Sequence, residues 1–399
     1  MKTIHKFLMV AAFGFAHPFH AAAFQSSDKS EEKVENQRSS SIQFNPFSKD
    51  FSDTVTVPFQ FSFVPFVGTN GTNSGNVINE VSINFFGGYS AGTTSFEMAS
   101  LFNINRGEMS GVQLAGLFNQ VGGKVDGVQL AGLFNSNLDS VRGVQLAGLT
   151  NFTTGSVEGV QISGLANFSP KAVKGVQLAG LLNFSAADLE GSQIAGLVNF
   201  TAHEVKGSQV GLLNFAGKVD GFQLGLFNYA DSMSGVPVGL MSFVRGGYHT
   251  VEFGATDILP FNLALRSGKR EFYTFFQAGI RPDLDREVTW SFGYGVGTSP
   301  RLGQKLFLNI EVSSEQLNKG NVQAVNLINR FYVGGEWQAT KRFAIYAGPT
   351  INFRVYETDF EGHPDLFTYS FPTIRNEKFY AENIGSQMWY GFKAGFRFF

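Results

Sequence analysis

The sequence predicts an all-β protein: a repeat β-solenoid followed by a small antiparallel barrel of about eight strands, of the outer-membrane type. Three observations carry this. A glycine recurs every 16 residues at Gly111, Gly127, Gly143, Gly159, Gly175, Gly191 and Gly207, opening nearly the same phrase each time. Self-similarity at fixed spacing marks a stacked array. Beyond residue 248, apolar and polar residues alternate with the period of a strand. The composition, 47 Gly and 44 Phe with no Cys, fits tight turns and aromatic sheet faces.

Residues 1–23 read as a secretory signal, with Lys2 and Lys6 before an apolar run and Ala21-Ala22-Ala23 as a cleavage site. That run is too short to span a bilayer. Residues 24–42 are polar and charged, too poor in apolar side chains to order themselves, and read as a disordered linker. Residues 43–94 hold candidate strands at 57–67 and 81–89 around a run of turn formers, G-T-N-G-T-N-S-G-N. They are expected to form an N-terminal cap.

The repeats occupy 95–247, about ten copies of 14–16 residues. Gln stands two residues after each opening Gly, from Gln113 to Gln223, and Asn closes each phrase, from Asn103 to Asn228. An apolar residue precedes each Gly by two, from Val125 to Val219. Two Gly per copy penalise a helix, so the unit is β. In a solenoid each copy is one coil, and equivalent residues stack at strand spacing. Val, Leu and Ile ladders are expected to fill the interior, Gly to take the corners, and Asn and Gln amides to chain from coil to coil. The rival is an antiparallel meander, but its two ends would need different turns, whereas these turns look alike in every copy. The N-x-S/T triplets at Asn151, Asn167, Asn183 and Asn199 are by-products of the repeat.

The region 248–399 holds eight candidate strands: 250–256, 261–267, 270–281, 288–299, 306–313, 325–338, 343–356 and 388–399. One face of 288–299 reads Trp290, Phe292, Tyr294, Val296 against Thr289, Ser291, Gly293, Gly295. A soluble sandwich turns such a greasy face inward, while a membrane barrel turns it to lipid. The polar faces carry both signs, Glu252, Glu311 and Glu336 with Arg266, Arg330, Arg354, Lys393 and Arg397, which a narrow interior would hold as compensated pairs. Trp290, Trp337 and Trp389 and most of the Tyr lie here, as interfacial girdles require. An eight-stranded interior is just filled by side chains, which argues against an open pore. The terminal strand M-W-Y-G-F-K-A-G-F-R-F-F resembles the signal read by barrel-assembly machinery. Connections are short at 268, 299–304 and 339–342 and longer at 282–287, 314–324 and 357–387. With the long ones outside the cell, the repeats fall on the periplasmic side.

No catalytic, cofactor-binding or metal-binding residue is assigned. The chain lacks a P-loop, a G-x-S-x-G elbow, H-E-x-x-H and an EF-hand loop. His203, His249 and His363 share no motif, and absent Cys removes thiolate catalysis, disulfides and thiolate metal sites. A net charge of -2 gives no basic field for nucleic acid.

The phrase G-V-Q-L-A-G-L-x-N, iterated with V-x-G before it, resembles the bacterial surface-repeat-containing family of Gram-negative envelopes. The resemblance covers roughly 57–355, including V-S-I-N-F-F-G-G-Y-S and W-S-F-G-Y-G-V-G-T-S. It implies an envelope location, no defined activity and no functional residues. The expected function is a non-enzymatic outer-membrane protein presenting a repeat scaffold, with membrane lipid as partner and any envelope or extracellular ligand unknown. The alternative is a transport or channel component whose repeats plug or regulate the barrel.

Overall fold

The computed structural model of the protein describes residues 53–282, 288–320, 324–358, 373–379 and 383–399. The expected signal at 1–23 and linker at 24–42 lie outside the described residues, as does part of the 357–387 connection. The first unit is a solenoid of about ten coils. A typical coil has a seven-residue strand, Val157–Ser163, and a four-residue strand, Ala166–Ser169. Both pair in parallel with their counterparts in the neighbouring coils, Gly159 opposite Gly143 and Gly175, Asn167 opposite Asn151 and Asn183. Parallel, in-register stacking rules out the meander.

Where the period contracts to 14, each turn loses one residue. Gln193 to Asn199 spans six positions but Gln209 to Asn214 five, and Thr201 to Val205 spans four but Ala216 to Val219 three. The inward residues keep their places, so the ladders continue through the shorter coils.

The ladder also begins earlier than its sequence signature. Strand Val55–Val64 pairs in parallel with Val77–Asn84, which pairs in parallel with Gly92–Ala99. The described part of 43–94 is therefore made of further coils and not a separate domain. Its capping element is small: Val67–Gly68 folds back antiparallel on Ser62 and Val64, followed by a 3-10 turn at Gly71–Asn76.

The interior differs from expectation. Val157, Val173, Leu189, Val205 and Val219 are buried in one apolar cluster and Met109, Val121, Val125 and Val141 in another, but much of the core is amide, with Gln113 to Gln223 and Asn103 to Asn214 fully buried. The Leu and Ile column next to each Gln is outside, 42% exposed at Leu146 and 40% at Leu178. The physical reason is parity. Gln161 and Ile162 are adjacent on a strand and must face opposite ways, and the amides take the inside because stacking satisfies them. The opening glycines also differ from expectation: Gly159 lies within the strand, at φ +135°, and not at a corner.

The second unit is a closed antiparallel barrel of eight strands: Thr250–Thr256, Phe261–Gly268, Tyr273–Pro282, Val288–Thr298, Leu306–Lys319, Asn326–Thr340, Phe343–Glu357 and Ile384–Phe398. Thr250–Thr256 closes the seam by pairing with the terminal strand, Val251 opposite Phe398 through Thr256 opposite Lys393. That first strand is short, leaving the edge Ile384–Trp389 open above it. A strand absent from the sequence expectation, Thr373–Phe379, pairs there and covers the edge.

The last solenoid coil, Val236–Val244, ends against the barrel. Its free carbonyl edge is met by barrel side chains: Tyr294 Oη donates to Gly239 O and Leu240 O at 3.3 and 3.2 Å, Ser267 Oγ to Ser242 O at 2.6 Å, and Lys269 Nζ to Gly235 O at 3.1 Å. An open solenoid end is an exposed sheet edge; here the barrel's outer wall supplies the cap.

Candidate functional site

Polar and reactive side chains gather in two places, the amide core of the solenoid and the barrel lumen, while much of the outer surface is apolar. In the solenoid core, Gln Nε2 donates to the Gln Oε1 of the preceding coil from Gln223 back to Gln113, at 2.7–2.9 Å. The Asn column runs the other way, each Nδ2 donating forward from Asn103 to Asn228 at 2.9–3.0 Å and ending on Ser242 Oγ at 3.1 Å. The second Asn proton binds a carbonyl ten or eleven residues on, as Asn167 Nδ2 does to Leu178 O at 2.9 Å. These amides are sealed from solvent, so they present no ligand surface, and the four N-x-S/T triplets carry buried side chains.

The Gln ladder terminates on Glu97, which occupies the Gln position of the degenerate copy at Ser95. Gln113 Nε2 and Asn84 Nδ2 donate to its carboxyl at 2.8 and 3.4 Å. Burial pushes the Glu97 carboxyl above its usual range, with the amide hydrogen bonds pulling partly back. A raised carboxyl value means that the folded state favours the protonated form. Stability is then fully present below the unfolded value near 4.3 and is lost as pH rises through the folded value. Glu97→Gln keeps the acceptor and removes the charge. It is expected to raise stability at pH 8 by about 1–2 kcal/mol and to flatten the pH dependence. Denaturant unfolding at pH 5 and pH 8 measures both, and an E97Q protein no more stable than wild type at pH 8 contradicts the assignment.

The barrel lumen is filled. Arg266 bridges Glu252 at 2.5 Å and Glu311 at 3.0 Å; Lys393 reaches the same two carboxylates at 3.2 and 3.1 Å. Arg397 binds Glu252 at 2.7 Å and Glu311 at 3.0 Å and also pairs with Glu336, which Arg270 holds at 2.9 Å from the rim. Farther along, Arg330 pairs with Glu315 at 2.8 Å, and Arg354 donates to Asn326 at 2.7 Å. Of the inward charges anticipated from the alternation, Glu252, Glu311, Glu336, Arg266, Lys393 and Arg397 join one network, and Arg330 and Arg354 take separate partners farther along. Sequence reasoning missed Arg270, Glu315 and Asp257. Arg270 precedes its strand, Glu315 follows the recognisable alternation, and Asp257 sits in a turn where it accepts from Trp389 Nε1 at 2.6 Å.

The aromatic girdle is only partly realised. Trp337 is outward and 51% exposed, but Trp389 points into the lumen, as do Tyr248, Tyr273, Tyr332, Tyr346 and Tyr356. The reason is the cations: ring faces pack on guanidinium groups, with Arg397 Cζ 4.4 Å from the Tyr346 centroid and Arg354 Cζ 4.6 Å from that of Tyr356.

His249 Nδ1 lies 3.2 Å from Ser267 Oγ, but that hydroxyl donates to Ser242 O at 2.6 Å in the seam between solenoid and barrel, so the pair is a structural tie. His249 stacks on Phe243 with centroids 4.6 Å apart and bonds Val244 O at 2.6 Å, tying barrel to solenoid. His203 lies in the strand Val198–Val210, and His363 is outside the described residues. Among the described residues no three metal-ligating side chains stand together. Comparison with family models, curated proteins and solved structures finds no match.

Proposed function

We propose that the protein is a non-enzymatic outer-membrane protein in which a filled barrel anchors a rigid repeat scaffold. The observation that carries this is the inversion of the barrel. Its wall presents Phe253, Phe261, Leu265, Phe292, Val312 and Phe392, each more than half exposed, while its charges are buried inside. A water-soluble barrel would place those groups the other way round, and an exposed apolar belt that encircles a fold calls for lipid. The repeat phrase, similar to that of Gram-negative surface-repeat proteins, supports the same location. The cross-linked lumen favours an anchor over a channel, and the solenoid meets the barrel on its outer wall rather than in its lumen.

The test is heat modifiability. An unboiled sample is expected to migrate differently on an SDS gel from a boiled one, because a closed barrel without free edges resists detergent. Isolation of the protein in the soluble fraction without detergent contradicts membrane insertion. A stable conductance in planar bilayers would favour the channel reading.

A further inference from the structure

The outward surface of the solenoid is not that of a soluble rod. At each corner a leucine projects outward, from Leu101, which follows Ser100, to Leu240, each of the others following a glycine, 37–50% exposed. On one side of this column lie the outward Val144 and Leu146 of the longer strand, and on the other the outward Phe168 and Phe184 of the shorter one, each with its counterparts in other coils. None of these outward positions carries a charge in any coil between Phe96 and Phe243.

The opposite edge holds the charges. Lys124, Asp139, Lys171 and Asp188 occupy the turns, and Arg142–Glu158 and Lys174–Glu190 pair between coils at 3.4 and 3.2 Å in the open. The rod is thus amphipathic over the coils from Leu101 to Leu240, roughly 48 Å at the strand spacing. An apolar strip of that size far exceeds the patches that soluble monomers expose.

We propose that the leucine edge of the solenoid lies in the interfacial layer of the outer membrane, at the short-turn end of the barrel, with the charged edge facing water. This rests on the membrane reading of the barrel. Two observations choose lipid over a protein partner. The edge is monotonous, one leucine per coil without a pocket, charge or change of size that a folded partner could read. It is also continuous with the barrel belt, since the last coil, bearing exposed Leu240 and Phe243, is seated on the outer wall at Tyr294 and Ser267. An in-plane amphipathic element binds by burying such a face at the headgroup boundary.

The chain has no Cys, so single cysteines can be labelled cleanly. Full-length Leu149→Cys, Leu181→Cys, Lys174→Cys and, on the barrel wall, Phe292→Cys would carry an environment-sensitive fluorophore in phosphatidylcholine–phosphatidylglycerol vesicles. Heat modifiability would verify that each variant is folded. Labels at 149, 181 and 292 are expected to lose roughly half their emission to nitroxide-bearing lipids, as groups seated in the acyl boundary do. The label at 174 should be quenched only by aqueous iodide. If 292 is lipid-quenched while 149 and 181 stay open to iodide, the edge inference falls and the membrane reading stands. If 292 is also unquenched by lipid, both fall. Labels at 149 and 181 shielded from both quenchers, with a mass of two chains, would assign the edge to a second copy and overturn lipid contact.

Discussion

Gly159→Val is expected to destabilise the protein by about 3 kcal/mol or more, an effect that few single substitutions reach. Two independent terms add. The residue holds φ +135°, a conformation that a β-branched side chain resists. A Cβ built there would also overlap the carbonyl oxygen of Gly143 in the preceding coil. The clash is with backbone, which no rotamer change relieves, so the coils must separate. Separation is transmitted, because the same strand carries Val157 and Gln161, two residues to either side of Gly159 and members of the buried apolar and amide columns. Stability of a stacked array resides in its nearest-neighbour interfaces, and one forced gap weakens two of them. Glu158→Val is the control: the same side chain, one residue away and facing solvent, should stay within about 0.5 kcal/mol of wild type. Chemical denaturation of the full-length protein in detergent, followed by circular dichroism, compares the three. A Gly159→Val midpoint close to wild type would show that the glycine column is not needed for coil approach.

That glycine illustrates what could be read from residues and what could not. Its recurrence gave the coil length and the parallel stack, because only equivalent neighbours explain an invariant spacing. Its place within a strand was hidden, since a corner and a close approach both select glycine. The barrel strands were legible where the wall is apolar, and illegible where it stops being so. Leu306–Lys319 outlasts the expected 306–313 because its outward residues turn polar at Ser314 and Gln316 while Glu315 and Leu317 continue to point inward. The alternation of chemistry ends there, although the alternation of geometry does not. Inside the solenoid the habit of placing leucine within was misleading for a physical reason: buried amides are costly alone but self-satisfying in a column. The coils before residue 95 went unrecognised because Ser82 stands in the Gln position and a polar run interrupts the spacing. Of the candidate site, the inward charges were foreseen individually, while their convergence on Arg397 depends on how strands distant in sequence meet across the closed lumen.

Arg397→Met should be the most damaging substitution in the barrel, with a loss of about 3–5 kcal/mol, the range for removing one member of a buried ion network. Arg397 has no exposed surface and joins three carboxylates, Glu252, Glu311 and Glu336, each buried as well. Methionine fills much of the volume but leaves those charges to Arg266, Lys393 and the rim residue Arg270. The loss therefore comes from uncompensated charge rather than from a cavity, and a second change can separate the two. Adding Glu336→Gln should recover part of the stability, since it removes the carboxylate whose one remaining cation, Arg270, is partly exposed. A cavity effect would instead leave the double variant at or below the single one. Arg142→Met on the solenoid supplies the scale for an exposed pair: its guanidinium and Glu158 are both mostly in solvent, and such pairs contribute about 0–1 kcal/mol. The temperature at which the compact gel band disappears ranks the variants. An Arg397→Met band that persists as long as that of Arg142→Met would mean that the lumen is open enough for water to solvate its charges. The filled anchor would then give way to a water-containing channel.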